Sequence, residues 1–481
     1  MYPRVDYNHL NGGRWSLTES AQLDALRSEI ERITLEIIDS VGRRNSLAED
    51  VAKEKASLGA PVINRDVENH LREAVVNRCR EVGVEPDFGA RLLNQLILES
   101  IRLQRKDSES NVAFNAHDHF VRAKEMEHSG REVIHLEVGE PDFGPPDAAL
   151  KAMAEAVDSG CTHYTPSAGI SSLREKIADR LGSRYDRDIS REEVIVTLSG
   201  KYALFLSMAS TIQAGEEVII IDPSFPAYSR CVRAAGGRPI IFPTDLDNGW
   251  DLDVDLLQEN VSPSTRMIML NSPCNPTGKV FDESTMRKLV ALAVENDISV
   301  VSDEVYSRFS YSPHTSILQF PHCNQVTVKS FSKQYGMTGF RLGYAVSDKE
   351  TIKKMASLQH LHVTCVPEFI QHAGLAALDC EEEVNINAAT IRSRLDIISK
   401  LLDRLPVTFR EADGGFYIFA RLAEGTTGGQ EFAERLLSET GVCVMPGIVY
   451  GSQYASFFRV AVCQPEDRLV KAVERMEEVL R

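Results

Sequence analysis

The side chains best suited to chemistry cluster in Ser330-Phe331-Ser332-Lys333 and, shortly after, Arg341, directly behind the β-rich run Gln325-Val-Thr-Val-Lys329. Lysine forms a Schiff base with an aldehyde, and a lysine just past a strand end is presented to a bound cofactor. Ser330, Ser332 and Arg341 add hydroxyl donors and a fixed cation, the partners a phosphate dianion needs. The pattern fits a primary amine held beside a phosphate; taken alone, it fits a surface lysine in a turn equally well.

The elements that must position this lysine are strand-like runs alternating with helical stretches. Strands are expected at Val194–Thr197, Glu217–Ile221, Met267–Leu270, Ile298–Val301, Gln325–Val328 and Leu342–Ala345. This rhythm predicts an α/β fold with a mostly parallel sheet, whose sites gather at the carboxyl ends of the strands. Three further motifs fall at such ends. Ser199-Gly200-Lys201 is a small-residue turn opening a helix, which offers backbone N–H groups and a dipole to a phosphate. Asn275-Pro276-Thr277-Gly278 carries an asparagine able to donate to a phenolate, and also reads as a plain turn. Asp303-Glu-Val-Tyr306 supplies an acid for a protonated pyridine nitrogen and a phenol for its 3-oxygen, although an acid ending a strand is often only a helix cap.

Together with Gly139-Glu-Pro-Asp-Phe143 and Tyr164-Thr-Pro-Ser-Ala-Gly169, these motifs resemble fold-type I pyridoxal-phosphate enzymes, specifically the class I aminotransferases, from about Val133 to the C-terminus. The resemblance implies pyridoxal 5′-phosphate as cofactor, with Lys333 carrying it and shuttling the proton at the substrate α-carbon. It implies that Asp303 holds the pyridinium and that Asn275 and Tyr306 bind the 3-oxygen. Phe225 takes the ring-stacking place, while Ser199, Gly200, Lys201, Ser330, Ser332 and Arg341 bind the phosphate end. Tyr164 would reach the phosphate from a partner subunit. Arg459 would grip the substrate α-carboxylate, with Gly139 at the same end. A large domain of about 165–363 and a small domain of about 126–164 plus 364–481, closing over the substrate, are expected.

The first hundred residues read differently. Leu23, Leu26, Ile30, Ile33, Ile37, Val41, Leu47 and Val51 form a near-heptad seam on one long helix, stopped by Pro61. Second and third helices are expected around Val67–Val75 and Leu92–Leu103. Arg44 and Lys55 point towards the seam, Glu68 shares a face with Leu71 and Val75, and Ser100 and Gln104 share one with Leu93 and Ile97. Inward cations need an anion. Such a lining suits a compact polyanion bearing a hydroxyl, unless the long stems snorkel from a dimerising bundle. Residues from about Leu23 to Gln104 resemble the all-helical chorismate mutases. That implies a dimer in which Arg27 enters the partner's site, Arg27 and Arg44 bind the carboxylates of chorismate, Glu68 meets its hydroxyl, and Lys55 and Gln104 donate to the ether oxygen. The rearrangement to prephenate needs only a held chair and charge stabilisation, which such groups supply. Asn64 and Val67 stand where that family commonly has an acid and an arginine.

The expected organisation is thus multidomain: a polar leader at 1–18, the helical domain at 19–105, a patternless linker at 106–125 and the α/β domain at 126–481. A net charge of −17 argues against nucleic acid or anionic membrane as the main partner. Nine scattered cysteines without a C-x-x-C pair suit neither a zinc ribbon nor a disulfide framework, and no stretch is apolar for long enough to span a bilayer, so a cytoplasmic protein is expected. No metal is expected. The fusion implies a bifunctional enzyme of aromatic amino acid synthesis, making prephenate and passing an amino group from glutamate or aspartate to prephenate or an aromatic 2-oxo acid, as a homodimer or larger. Against it stand a general aminotransferase with a non-catalytic sensing or dimerising front domain, and a transcription regulator, which the inward cations disfavour.

Overall fold

The computed structural model describes residues 17–58, 65–106 and 116–481, and the chain divides into two units, 1–113 and 114–481. Most of the leader, Pro61, Asn64 and the middle of the linker lie outside the described residues.

The first unit is three helices: α1 (Leu17–Leu58), α2 (Arg65–Val82) and α3 (Pro86–Lys106). Pro86 opens α3, where a missing N–H costs nothing. Leu93, Ile97, Ser100 and Leu103 are buried at helical spacing on α3, as are Ala48 and Ala52 on α1 and Cys79 on α2. Helix α1 has 42 residues against 18 and 21 for its neighbours. Its amino-terminal half therefore overhangs: Leu23, Leu26 and Ile30 are 49%, 58% and 65% exposed. The residues of the expected seam, Leu23 to Ile37 and also Leu47 and Val51, are exposed within one chain, and it is Ala48 and Ala52 that α1 buries.

The second unit opens with α4 (Ala116–His128), which corrects the expected linker: its later part is helical because Ala123 is fully buried beside Val133, Leu437 and Cys443. Strand β1 (Ile134–His135) pairs in parallel with β11 (Val442–Cys443), so an early stretch joins the C-terminal part of the chain. Between them run α5 (Asp147–Asp158), α6 (Ser171–Tyr185), β2 (Val194–Thr197), α7 (Gly200–Thr211), β3 (Glu217–Asp222), α8 (Ala227–Ala234), β4 (Arg238–Pro243), β5 (Thr265–Asn271), β6 (Ser299–Asp303), β7 (Gln325–Ser330) and β8 (Gly343–Val346). These strands form one sheet in the order β2-β8-β7-β6-β5-β3-β4, parallel except for β8. In β3, Val218 and Ile220 pack with Leu204 and Leu206 of α7, while Ile219 and Ile221 join the opposite layer with Leu289 and Leu292. Burial on both faces explains the unbroken apolar run. Strand β4, not anticipated, is an edge strand, where its two prolines are tolerated. A smaller antiparallel sheet of β9 (Val407–Thr408), β10 (Tyr417–Leu422), β12 (Met445–Pro446) and β13 (Phe457–Ala461) packs on the helices Glu381–Leu402 and Glu466–Leu480.

Strand β8 meets the start of α7 so closely that a Cβ on Gly343 would lie 2.5 Å from the Gly200 nitrogen and 2.6 Å from the Ser199 carbonyl carbon. Gly343→Ala must push these backbones apart, and is expected to lower stability by about 1–3 kcal/mol in urea denaturation. An unchanged midpoint would show that the two elements separate freely.

Candidate active site

The carboxyl edge of the large sheet opens into a cavity of about 570 Å³. Past β2 the chain turns into α7 through Ser199, whose φ of 96° is unusual for a residue with a side chain; its hydroxyl accepts from the Tyr202 N–H at 3.4 Å. Past β7 the Ser330 hydroxyl accepts from the Ser332 N–H at 3.1 Å. Arg341, at φ 54°, precedes β8 and donates to the Thr338 carbonyl at 2.8 Å. Ser199, Ser330, Ser332 and Arg341, with Gly200 and Lys201, border the cavity. Hydroxyls, a guanidinium and the first turn of a helix make an anion cradle.

Asp303 ends β6 and is buried. One of its oxygens accepts from the Tyr228 hydroxyl at 2.7 Å and the other from the Val305 N–H at 3.2 Å. Burial pushes its pKa up to about 6 despite those bonds. Lys333 Nζ donates to the Gly139 carbonyl at 2.6 Å; burial above all holds its pKa below the usual lysine value, with the charges of Arg459 and Arg341 acting in the same direction. The Tyr306 and Tyr417 hydroxyls are 3.1 Å apart, and burial raises the Tyr306 pKa well above that of a free phenol, so Tyr306 remains a donor. Arg459, on β13, is buried; it donates to the Asn275 amide oxygen at 3.0 Å and to the Glu137 carbonyl, and lies 4.3 Å over the Tyr417 ring. Its Nε is buried without a partner among the described residues. Gly139 must be glycine, since a Cβ there would fall on the Tyr417 hydroxyl. Phe225 borders the cavity with the Lys201 ammonium 5.2 Å from its ring centre.

Every residue the sequence placed at the cofactor is thus brought to one cavity except Tyr164, which is 87% exposed and does not line the cavity of its own chain. Cys274 lies near but points away: its thiol contacts the Pro223 carbonyl, and burial pushes its pKa up to about 11. Sequence reasoning missed Tyr228, Tyr417 and Arg230. Tyr228 and Arg230 had a signal, since they follow Phe225 by three and five residues on α8; Tyr417 had none, because a distant segment brings it in.

In the helical unit Arg44 and Ser100 come together: the Arg44 guanidinium donates to the Leu96 carbonyl and to the Ser100 hydroxyl. Arg27 does not join them within the chain; it is exposed and pairs with Asp24 one turn away. Lys55 closes α1 and Glu68 stands in the first turn of α2, both half-buried, while the side chain of Gln104 lies outside the described residues. Val67 is 62% exposed. Arg72, unforeseen, lies one turn beyond Glu68 and donates to Asn94 of α3 at 2.6 Å.

Residues 131–476 match the family model of aminotransferase class I and II, and residues 26–105 that of chorismate mutase type II. An aspartate aminotransferase of Pyrococcus abyssi is 35% identical over 359 residues, 73% of this chain and 92% of the relative. A probable aspartate/prephenate aminotransferase of Aquifex aeolicus is 34% identical over 371 residues, 75% of this chain and 94% of that one. The crystal structure of an aromatic aminotransferase from Pyrococcus horikoshii superposes with a TM-score of 0.70 at 34% identity, covering 74% of this chain and 98% of the other. Pyridoxal 5′-phosphate is the cofactor of this class. The residues fit it: a half-buried amine of lowered pKa, a buried acid, an anion cradle whose Ser199–Gly200 backbone packs against Gly343, and an Arg459 Nε without an acceptor among the described residues. The chain therefore belongs to the class I and II aminotransferases, and carries a chorismate mutase type II domain in front of that fold.

Proposed function

We propose that the protein converts chorismate to prephenate in its helical domain and transaminates prephenate, from glutamate or aspartate, in its α/β domain. The observation that carries the choice of acceptor is a pair of exposed cations, Lys201 and Arg230, which border both the main cavity and an adjoining recess. With Arg459 engaged by the α-carboxylate, these two remain for a second carboxylate, which prephenate shares with the donors glutamate and aspartate and which the aromatic 2-oxo acids lack.

Pyridoxal phosphate, when bound, supplies an electron sink for negative charge at the substrate α-carbon. The rest is done by this chain. The cradle of Ser199, Gly200, Ser330, Ser332 and Arg341 takes the phosphate, and Phe225 stacks on the ring. Asp303, steadied by Tyr228, holds a proton on the ring nitrogen, and Tyr306 and Asn275 donate to the 3-oxygen. Arg459 grips the α-carboxylate through Nε and a terminal nitrogen. Lys333 Nζ holds the cofactor and then moves the proton at the α-carbon, a task suited to an amine whose burial favours its neutral form. In the helical domain Arg44, fixed by Ser100, meets one carboxylate of chorismate, and Arg27 of a second copy meets the other; the overhanging apolar half of α1 supports that pairing. Lys55, Gln104 and Glu68 complete the polar contacts.

A second reading rests on Val67, exposed where a substrate-positioning arginine is common: a mutase domain that only senses a pathway acid or dimerises. Incubating the protein with pyridoxal phosphate, chorismate and glutamate, with products followed by mass spectrometry, separates the two. Arogenate supports the first reading, while chorismate consumed no faster than in a blank supports the second. Prephenate that accumulates without arogenate would redirect the amino group to an aromatic 2-oxo acid.

Arg230→Met is expected to lower kcat/KM for prephenate by about tenfold to a hundredfold, the loss of one charge-assisted contact, and to leave phenylpyruvate within about threefold. Equal effects on both acceptors would remove Arg230 from recognition. Asp303 makes a prediction in pH. Its folded pKa, about 6, lies above the ordinary 3.8, so the cofactor-free fold holds the extra proton in that window and loses stability as pH rises through it. Cofactor-free Asp303→Asn should therefore gain on the parent protein by up to about 3 kcal/mol between pH 4 and 7, while binding pyridoxal phosphate more weakly at pH 7. Urea titrations at both pH values and cofactor absorbance titrations check this; parallel stability profiles would refute it.

A further inference from the structure

A second cavity, of about 460 Å³, shares no lining residue with the first. Part of its wall is aromatic, from Tyr185, Tyr335 and Tyr344; another part is cationic, from Arg180, Arg184 and Arg308. Arg308 donates to Glu381 at 2.6 Å, and Arg180 pairs with the same carboxylate. Arg184 has no ion pair among the described residues and stands 5.8 Å from the Tyr185 ring centre. The one other carboxylate in the lining, Asp179, is exposed. Three guanidiniums thus crowd one well-placed carboxylate. Arg308 also donates to the Asn385 amide oxygen at 2.9 Å and Arg180 to the Leu378 carbonyl, but neither acceptor carries a charge. The pKa of Arg308 is lowered mainly by burial, with the charges of Arg184 and Arg180 adding to it against Tyr335 and Tyr185. Lys329, also in the lining, is already satisfied: Nζ donates to Glu304 at 2.8 Å and to Ser307 at 3.0 Å.

We propose that this cavity binds a one-ring aromatic carboxylate as a regulatory ligand, with the ring among the tyrosines and the carboxylate on Arg184 and Arg308. A ring offers the phenols stacking and edge contacts, and a carboxylate relieves the guanidinium crowding in the bidentate geometry arginine favours. The position gives such a ligand two routes to the active site. Ser307, Lys329 and Gln334 in the lining are chain neighbours of Tyr306, Ser330 and Lys333. Glu381 begins the helix Glu381–Leu402, whose Ile391, Leu395 and Ile398 share a core with Phe458 and Val460 on either side of Arg459. A carboxylate that competes with Glu381 for Arg308 loosens the root of that helix and, with it, the strand that positions Arg459. The inference does not depend on which keto acid accepts the amino group.

The test is steady-state transamination by the holoenzyme in the presence of 3-(4-hydroxyphenyl)propionate, which has the ring and the carboxylate but no group that can be transaminated. At saturating donor and acceptor, kcat is expected to fall about fivefold, within the range of ordinary coupling between sites. Arg184→Glu, an exposed position without an ion pair, should keep the basal kcat and need at least about tenfold more probe for the same fall. Arg308→Met, which removes the Glu381 contact itself, should instead lower the basal kcat and leave the probe with little further effect. A purely competitive pattern, in which kcat is untouched, overturns the proposal, as does an unchanged kcat effect in Arg184→Glu. The same fall with inorganic phosphate at equal concentration would make the cavity a general anion site and end the aromatic assignment.

Discussion

The constraint on which the active site depends is the spacing of backbones in a sheet. Neighbouring strands lie about 4.8 Å apart, so parallel strands that end together deliver side chains from distant parts of the sequence within reach of one small molecule. Here β3, β5, β6 and β7 end at one edge, where Asp303 closes β6 and Phe225, Asn275 and Lys333 follow the other three. The reversed strand β8 begins at that same edge, its Gly343 paired with Thr197 and Ser330. That is why Arg341, placed before its strand rather than after it, joins residues that follow theirs.

Charge burial at that edge opposes stability. Asp303 and Arg459 are buried and Lys333 is half-buried, and the shifted pKa values of Asp303 and Lys333 record the free energy spent in holding ionisable groups away from water. The large apolar layers on both faces of the sheet supply the surplus that tolerates this. The hydrogen bonds around the charges are incomplete in a telling way: the Asp303 oxygens have Tyr228 and a backbone N–H, whereas Arg459 retains a nitrogen unbonded among the described residues. The first arrangement holds an acid in place; the second leaves a donor for a ligand.

The helical unit solves a different problem. A helix of 42 residues spans about 63 Å, and neighbours half that length cannot cover it. Its carboxyl-terminal half packs through small residues, Ala48 and Ala52, against α3. Its amino-terminal half keeps large apolar side chains in the open. The same division separates Arg44, fixed by α3, from Arg27, which faces solvent.

The local chemistry was legible in the sequence. Period-two and period-3.6 patterns marked most elements, and the Ser199, Asn275, Asp303, Ser330 and Lys333 motifs stand at strand ends because turn residues must follow strands; all of them reach one cavity. Short-range patterns did not reveal α4 or the edge strand β4, whose burial is decided by contacts far along the chain. The sequence by itself determined which side chains are available and which elements carry them, since propensity and periodicity are local properties. Only the tertiary structure decided that Tyr417 meets Tyr306, that Arg459 reaches Asn275, that Tyr228 bonds Asp303, and that Arg230 borders the cavity. Those meetings follow from the order of strands in the sheet and from the folding of the C-terminal sheet onto it, neither of which is written in any single stretch of residues.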